Sequence, residues 1–234
     1  MKKIILVLAC LFALSGCSDS ITYRYRMTVE VLADGVVHSG SSVLEVSHSR
    51  LFNMNGGGYT EGAGIAKGEA VAVDLGARGI VFAILSYRNR GSDPSYFAEY
   101  VFGARNSDGS VRNNTLAELR AVNFSGSKGA RELPPAYWPE MVRFRNLADP
   151  GIVERVNTQN LAASFGQGVK VLRVTAEVTS EQVTDRIASK LKWLTFPKEE
   201  ILNKLQGPNW DYRDPDFKTG HSLQVSDFKK GIFP

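Results

Sequence analysis

Few side chains in this sequence suit chemistry near neutral pH, and their spacing limits what they can do together. The three histidines, His38, His48 and His221, stand far apart along the chain, and histidine is the usual proton shuttle in this pH range. His221 lies among Asp214, Asp216 and Asp227, the one cluster of mixed acid/base character, although an exposed polar tail accounts for the same residues. Trp138, Trp193 and Trp210 could line a groove for a sugar or peptide, yet their proline and apolar neighbours also suit core packing. Arg24 and Arg26 interleave with Tyr23 and Tyr25, but in an extended strand alternate residues point to opposite faces, so they cannot form one base-stacking and phosphate-binding surface.

The familiar catalytic spacings are missing. The sequence holds no G-x-S-x-G nucleophile elbow, no H-E-x-x-H zinc helix and no G-x-x-x-x-G-K-[ST] phosphate loop. Gly62, Gly64 and Gly68 approach a dinucleotide fingerprint, but the third glycine comes one place late. Ser-x-x-Lys recurs at Ser125/Lys128, Ser189/Lys192 and Ser226/Lys229, as so short a pattern does by chance. The expectation is no catalytic set apart from the weak candidate His221, no metal site and no cofactor.

The elements that would position these residues begin with a period of two. Ile21, Tyr23, Tyr25, Met27, Val29 and Val31 are apolar, with Thr22, Arg24, Arg26, Thr28 and Glu30 between them, which predicts a strand with one buried face. Asp34-Gly35 favours a two-residue hairpin turn, so Ala33 should pair with Val36, Tyr25 with Leu44 and Tyr23 with Val46. That register places His38 opposite Val31 and His48 opposite Ile21, about 33 Å apart along the strand and too far to share a metal. Residues 53–68, rich in glycine, read as a mobile loop. A second hairpin should follow over 69–85, its strands near-continuously apolar and so covered on both faces.

Further on, Asp93-Pro94 opens a helix over 95–104, and Thr115 with Glu118 has capping-box spacing for a helix over 115–122. A proline-rich connection leads to a strand over 141–145. Helices are expected over 158–165, 180–191 and 197–207, with a strand over 168–179 that turns Leu172, Val174, Ala176 and Val178 to one face. The reading is an α+β fold: a single domain with a mostly antiparallel sheet, two N-terminal hairpins and several short helices. Its globular part spans 21–208, and a C-terminal tail, 209–234, packs on it.

The N-terminus is an address. Lys2 and Lys3 precede an apolar run over 4–14 that is too short to span a bilayer. The segment Leu14-Ser15-Gly16-Cys17 resembles the lipobox of bacterial lipoproteins. That resemblance implies a diacylglyceryl thioether on Cys17, cleavage after Gly16 to remove residues 1–16, acylation of the freed amine, and a short tether over 17–20. By the same family's sorting habit, Ser18 directly after the cysteine favours the outer over the inner membrane. Residues 134–194, with Trp138-Pro139, Asp149-Pro150 and Trp193-Leu194, resemble a set of conserved proteobacterial proteins, and this likeness transfers no site residues.

Processing alters the charge arithmetic. Of 28 basic and 24 acidic residues in 234, Lys2 and Lys3 leave with the signal and no acid does, so formal +4 becomes +2. A body this near neutrality lacks the Lys and Arg excess that nonspecific nucleic-acid binding draws on. Cys10 leaves and Cys17 is acylated, and these are the only cysteines, so the mature chain has no thiol for catalysis, zinc or a disulfide. The expectation is a periplasm-facing envelope lipoprotein that binds the membrane through its lipid and an envelope or periplasmic protein through its body. The alternative is an envelope hydrolase acting on peptidoglycan or lipid, with distant carboxylates and His221 brought together by folding.

Overall fold

The alternation at the N-terminus becomes strand β1 (Asp19–Ala33), paired along its length with β2 (Val36–Asn53). The computed structural model describes residues 19–53, 57–86, 92–124, 128–206 and 223–231. Ala33 lies opposite Val36, Tyr25 opposite Leu44, Tyr23 opposite Val46 and His48 opposite Ile21, as the alternation requires. Asp34 and Gly35 both take positive φ, 51° and 76°, the backbone twist that suits a tight hairpin. Tyr23, Tyr25, Met27, Val29, Val31 and Ala33 are buried. On the opposite face Arg24 pairs with Glu45 at 2.7 Å, Arg26 with Glu177 at 2.8 Å and Arg173 with Glu30 at 2.8 Å. Half-exposed pairs of this kind each contribute about 0–1 kcal/mol, so the buried row dominates.

Eight further strands complete two antiparallel sheets. They are β3 (Gly58–Glu69), β4 (Val71–Asp74), β5 (Ile80–Ala83), β6 (Arg131–Glu132), β7 (Met141–Phe144), β8 (Val153–Val156), β9 (Lys170–Val178) and β10 (Lys229–Lys230). The six-stranded sheet runs β10-β3-β2-β1-β9-β6 and the four-stranded sheet β4-β5-β7-β8. Short helices α1 (Phe97–Phe102), α2 (Leu116–Val122), α3 (Ala162–Phe165), α4 (Lys198–Gln206) and α5 (Val225–Phe228) are subordinate. The class is mixed and mostly antiparallel, with more sheet than the alternating reading implied.

The four-stranded sheet separates two cores. Val71, Val73, Val81, Ala83 and Met141 face the large core under the six-stranded sheet. Ile80, Phe82, Ile84, Val142 and Phe144 face a second core closed by Ile187, Leu191, Trp193, Ile201, Leu205 and Phe228. This two-sided burial is why β5 reads as a continuous apolar run. Residues 223–231 add Leu223, Val225 and Phe228 to the second core and β10 to the edge of the first sheet.

Three expectations fail for identifiable reasons. The glycine-rich stretch is strand β3, because partners hold it at alternate positions. Glu61 accepts the Leu116 N–H at 2.7 Å, Ala63 N–H donates to Tyr96 Oη at 3.1 Å, and Ile65 is buried opposite Val46. The helix expected over 180–191 is one 3₁₀ turn at Ile187–Ser189. Its backbone bonds go elsewhere: Thr184 exchanges bonds with Val43, and Glu69 accepts the Arg186 and Ile187 N–H groups at 2.6 and 2.7 Å. In β9 the register shifts, with Arg173 opposite Glu30 and Val171 opposite Val31. Leu172 is the extra residue of a bulge, so Val171 is buried in its place.

Gly40 marks a close approach between the sheets. A Cβ on it would stand 2.2 Å from the Ala72 carbonyl oxygen at the edge of β4. Gly40→Ala must therefore push β2 and β4 apart, and we expect a loss of about 1–3 kcal/mol, read as a lowered urea midpoint without a change of slope.

Candidate functional site

The proline-rich connection builds the most site-like cavity. Pro134 and Pro135 start a 3₁₀ turn, Pro135–Tyr137, which turns the chain so that Trp138 Nε1–H donates to the Leu133 carbonyl at 3.0 Å. The indole is thereby pinned at the wall of a cavity of about 850 Å³, lined also by Glu140, Met141, Arg155, Thr158 and Gln159. Strand β7 follows directly and β8 lies beside it, Val142 opposite Arg155, so the two strands carry Glu140 and Arg155 to the same wall. The two form an ion pair in which Arg155 Nε donates to Glu140 Oε1.

Glu140 is 3% exposed, and its second oxygen, Oε2, has no hydrogen-bond partner among the described residues. Arg155 offsets the buried charge, while Oε2 is closed off from solvent, and the polar groups the cavity offers also include Thr158 and Gln159. Next to an indole edge and Met141, this set can orient a small polar group.

Trp193 is placed differently. It is 1% exposed in the second core, its ring 5.7 Å from Phe144 and 5.4 Å from Phe228, and offers no face to a ligand. Cys17, Trp210, His221, Asp214 and Asp216 lie outside the described residues. Asp227, the fourth member of the His221 cluster, is buried and accepts the Gln224 N–H at 2.7 Å, capping α5. Of the Ser-x-x-Lys lysines, Lys229 pairs with Asp185 at 2.7 Å. His38 is half-buried, with Nδ1 2.8 Å from the Asp74 carbonyl.

His48 is the centre of a second polar group, closed to solvent. Its Nδ1 lies 2.8 Å from Glu99 Oε1, and Tyr23 Oη donates to the same oxygen at 3.1 Å. Burial first, then the Glu99 carboxylate, holds the Tyr23 phenol well above its usual range. Two further cavities exist. An apolar one of about 940 Å³ includes Phe196, Ile201, Leu202 and Val225, and one of about 530 Å³ includes Asp93, Ser95, Asp227 and Lys230. Tyr23, His48 and Glu99 line none of the three cavities, and their arrangement ties α1 to β1 and β2. Among the described residues no group of three His, Cys, Asp or Glu side chains could hold a metal.

Sequence reading singled out Trp138 but missed Glu140, Arg155 and Glu99. Their one signal is a lone charge in an apolar setting: Glu99 within Phe97-Ala98-Glu99-Tyr100-Val101, and Glu140 between Pro139 and Met141. Comparison with protein families, curated proteins and solved structures finds no match for this chain.

The Glu140–Arg155 pair has a measurable signature. Arg155→Met strands a buried carboxylate and should cost about 3 kcal/mol, whereas Glu140→Gln in that background should recover most of the loss. Chemical denaturation of the two single variants and the double variant checks this, and a simple sum of independent losses would contradict it.

Proposed function

We propose that the chain is an envelope lipoprotein, held at a bilayer by acyl chains on Cys17, whose body works by binding on the periplasmic side. One observation carries the reading: a lipobox, Leu14-Ser15-Gly16-Cys17, stands immediately before the folded body, whose first strand starts at Asp19. An aliphatic residue and two small residues ahead of cysteine suit a signal peptidase cleft. Two or more acyl chains supply stable anchoring, at about 0.8 kcal/mol per buried methylene. No helix among the described residues is long and apolar enough to cross a membrane, and the reading requires none.

The Trp138 cavity is the binding site we favour, for an envelope component or a periplasmic protein that offers polar groups to Thr158 and Gln159 beside the indole. Leu133, which holds the indole, donates its N–H to Val174, and Val174 pairs with Val29. Val29 is ten residues along β1 from Asp19, about 33 Å at the usual rise per residue, so the cavity stands well away from the anchored end.

Metabolic labelling with palmitate tests the anchor: the wild-type protein should incorporate label and Cys17→Ser should not. An unlabelled wild type, or an unmodified sulfur by mass spectrometry, would sink the proposal. For the site, cross-linking in cells with the lipidated protein should recover a defined envelope species, and Gln159→Trp, which fills the cavity from an exposed position, should abolish its recovery while leaving labelling intact.

A further inference from the structure

Among the described residues the β2–β3 ribbon extends past the rest of its sheet at one end. Among the described residues the β1–β2 pairing runs as far as Asp19 opposite Arg50, and past that point β2 and β3 pair with each other: Leu51 with Thr60, Phe52 with Tyr59, Asn53 with Gly58. The last core residue on this part of β2 is His48. Past it the alternation of the strand continues, and no described residue covers it. Phe52 and Tyr59 share the face of His48, with ring centroids 5.3 Å apart in an edge-on contact, and Leu51 occupies the opposite face. These three are 58%, 57% and 61% exposed for Leu51, Phe52 and Tyr59, so the ribbon is apolar on both sides at its exposed end. Arg50 lays its guanidinium over the Tyr59 ring at 4.3 Å.

The same end of the molecule holds the start of the chain. Asp19 and Arg50 are direct neighbours in the sheet, and one residue, Ser18, separates Cys17 from Asp19, two steps along the chain with a reach of at most about 7 Å. A lipid anchor at Cys17 therefore cannot stand far from Leu51 and Phe52. The charges here are matched: Arg50 lies 3.6 Å from Glu61, and Arg120 pairs with Asp19. An aromatic pair with an arginine beside it is the composition that settles at the boundary between headgroups and acyl chains. Val36 and Val37, also exposed, lie at the other end of β1, about 46 Å away by strand rise.

We propose that Leu51, Phe52 and Tyr59 dock in the interfacial layer of the bilayer that holds acylated Cys17, fixing the orientation of the body on the membrane. The inference rests on the lipoprotein reading. The ribbon acts as a second contact beside the lipid, so the domain stands with β1 steep to the surface and the β1–β2 turn farthest from it.

The test uses the full lipidated protein in vesicles of phosphatidylethanolamine and phosphatidylglycerol. Phe52→Cys and, as a control, Val36→Cys each receive an environment-sensitive fluorophore; Cys17 is acylated, so the new thiol is labelled alone. Both sites are exposed, so neither substitution disturbs a core. Quenching by doxyl-labelled lipid should be at least about twofold stronger at position 52 than at 36, as shallow interfacial burial requires. Equal, weak quenching at both positions in vesicle-bound protein overturns the docking while leaving the anchor intact. A blue shift at position 52 without lipid quenching overturns it in favour of a protein partner or a second copy. Protein that takes up no palmitate and fails to co-float with the vesicles overturns the anchor and the docking together.

Discussion

The row of inward side chains on β1 sets everything else in place. Tyr23, Tyr25, Met27, Val29, Val31 and Ala33 are buried, and β1 has a partner on each side. A slip of one residue would exchange this row for Arg24, Arg26, Thr28 and Glu30, putting three charges into the core and six apolar groups into water. No rearrangement of neighbours could offset that, so the register of β2 and β9 follows from β1. Because β1 begins at Asp19, the strand that organises the core also lies next to the proposed anchor. The body then has little freedom to rotate away from it.

Burial of charge shows where the fold departs from an apolar sandwich. Glu69, Glu99 and Glu140 are each under 5% exposed, and each has a different compensation. Glu69 accepts two backbone N–H groups from residues 186 and 187, which stitches the irregular 181–186 segment to the end of β3. Burial raises its carboxyl above the usual range, and the two N–H donors oppose that shift. Glu99 is met by His48 and Tyr23, deep and closed. Glu140 is met by Arg155 at the wall of a cavity. Only the last lies at the wall of a described cavity, which is why the cavity and not the His48 group is the candidate for recognition.

What the sequence discloses follows from how local the cause is. The β1–β2 hairpin is legible because alternation and the Asp34-Gly35 turn act within one short segment. The same is true of α2, where Thr115 and Glu118 form the capping box their spacing implies. β3 is illegible because its order comes from Tyr96, Leu116 and β2, all distant in sequence, whereas its glycines are local and point the other way. Residues 180–191 mislead in the opposite sense: Val183, Ile187 and Leu191 have helical spacing, but Val43 and Glu69 take the N–H groups a helix would need. Trp138 and Trp193 are equivalent by neighbours and opposite by placement, since only the topology decides which sheet edge lies beside a cavity.

The two ends of β1 differ in chemistry. At the Asp19 end, apolar side chains beyond the last core residue suit a surface that is itself half apolar, and paired charges leave no excess to be neutralised. At the opposite end, Arg78 locks the β1–β2 turn: it donates to both Asp34 oxygens at 2.6 and 2.8 Å and to the Phe165 carbonyl at 2.8 Å, and its guanidinium holds the exposed Asp34 carboxyl below the usual range. A hairpin fixed at its turn and apolar at its open end transmits orientation as a rigid rod. If the open end sits in lipid, the Trp138 cavity faces the periplasm at a fixed height. A partner embedded in the same membrane would then need to reach about 30 Å from the bilayer to meet it.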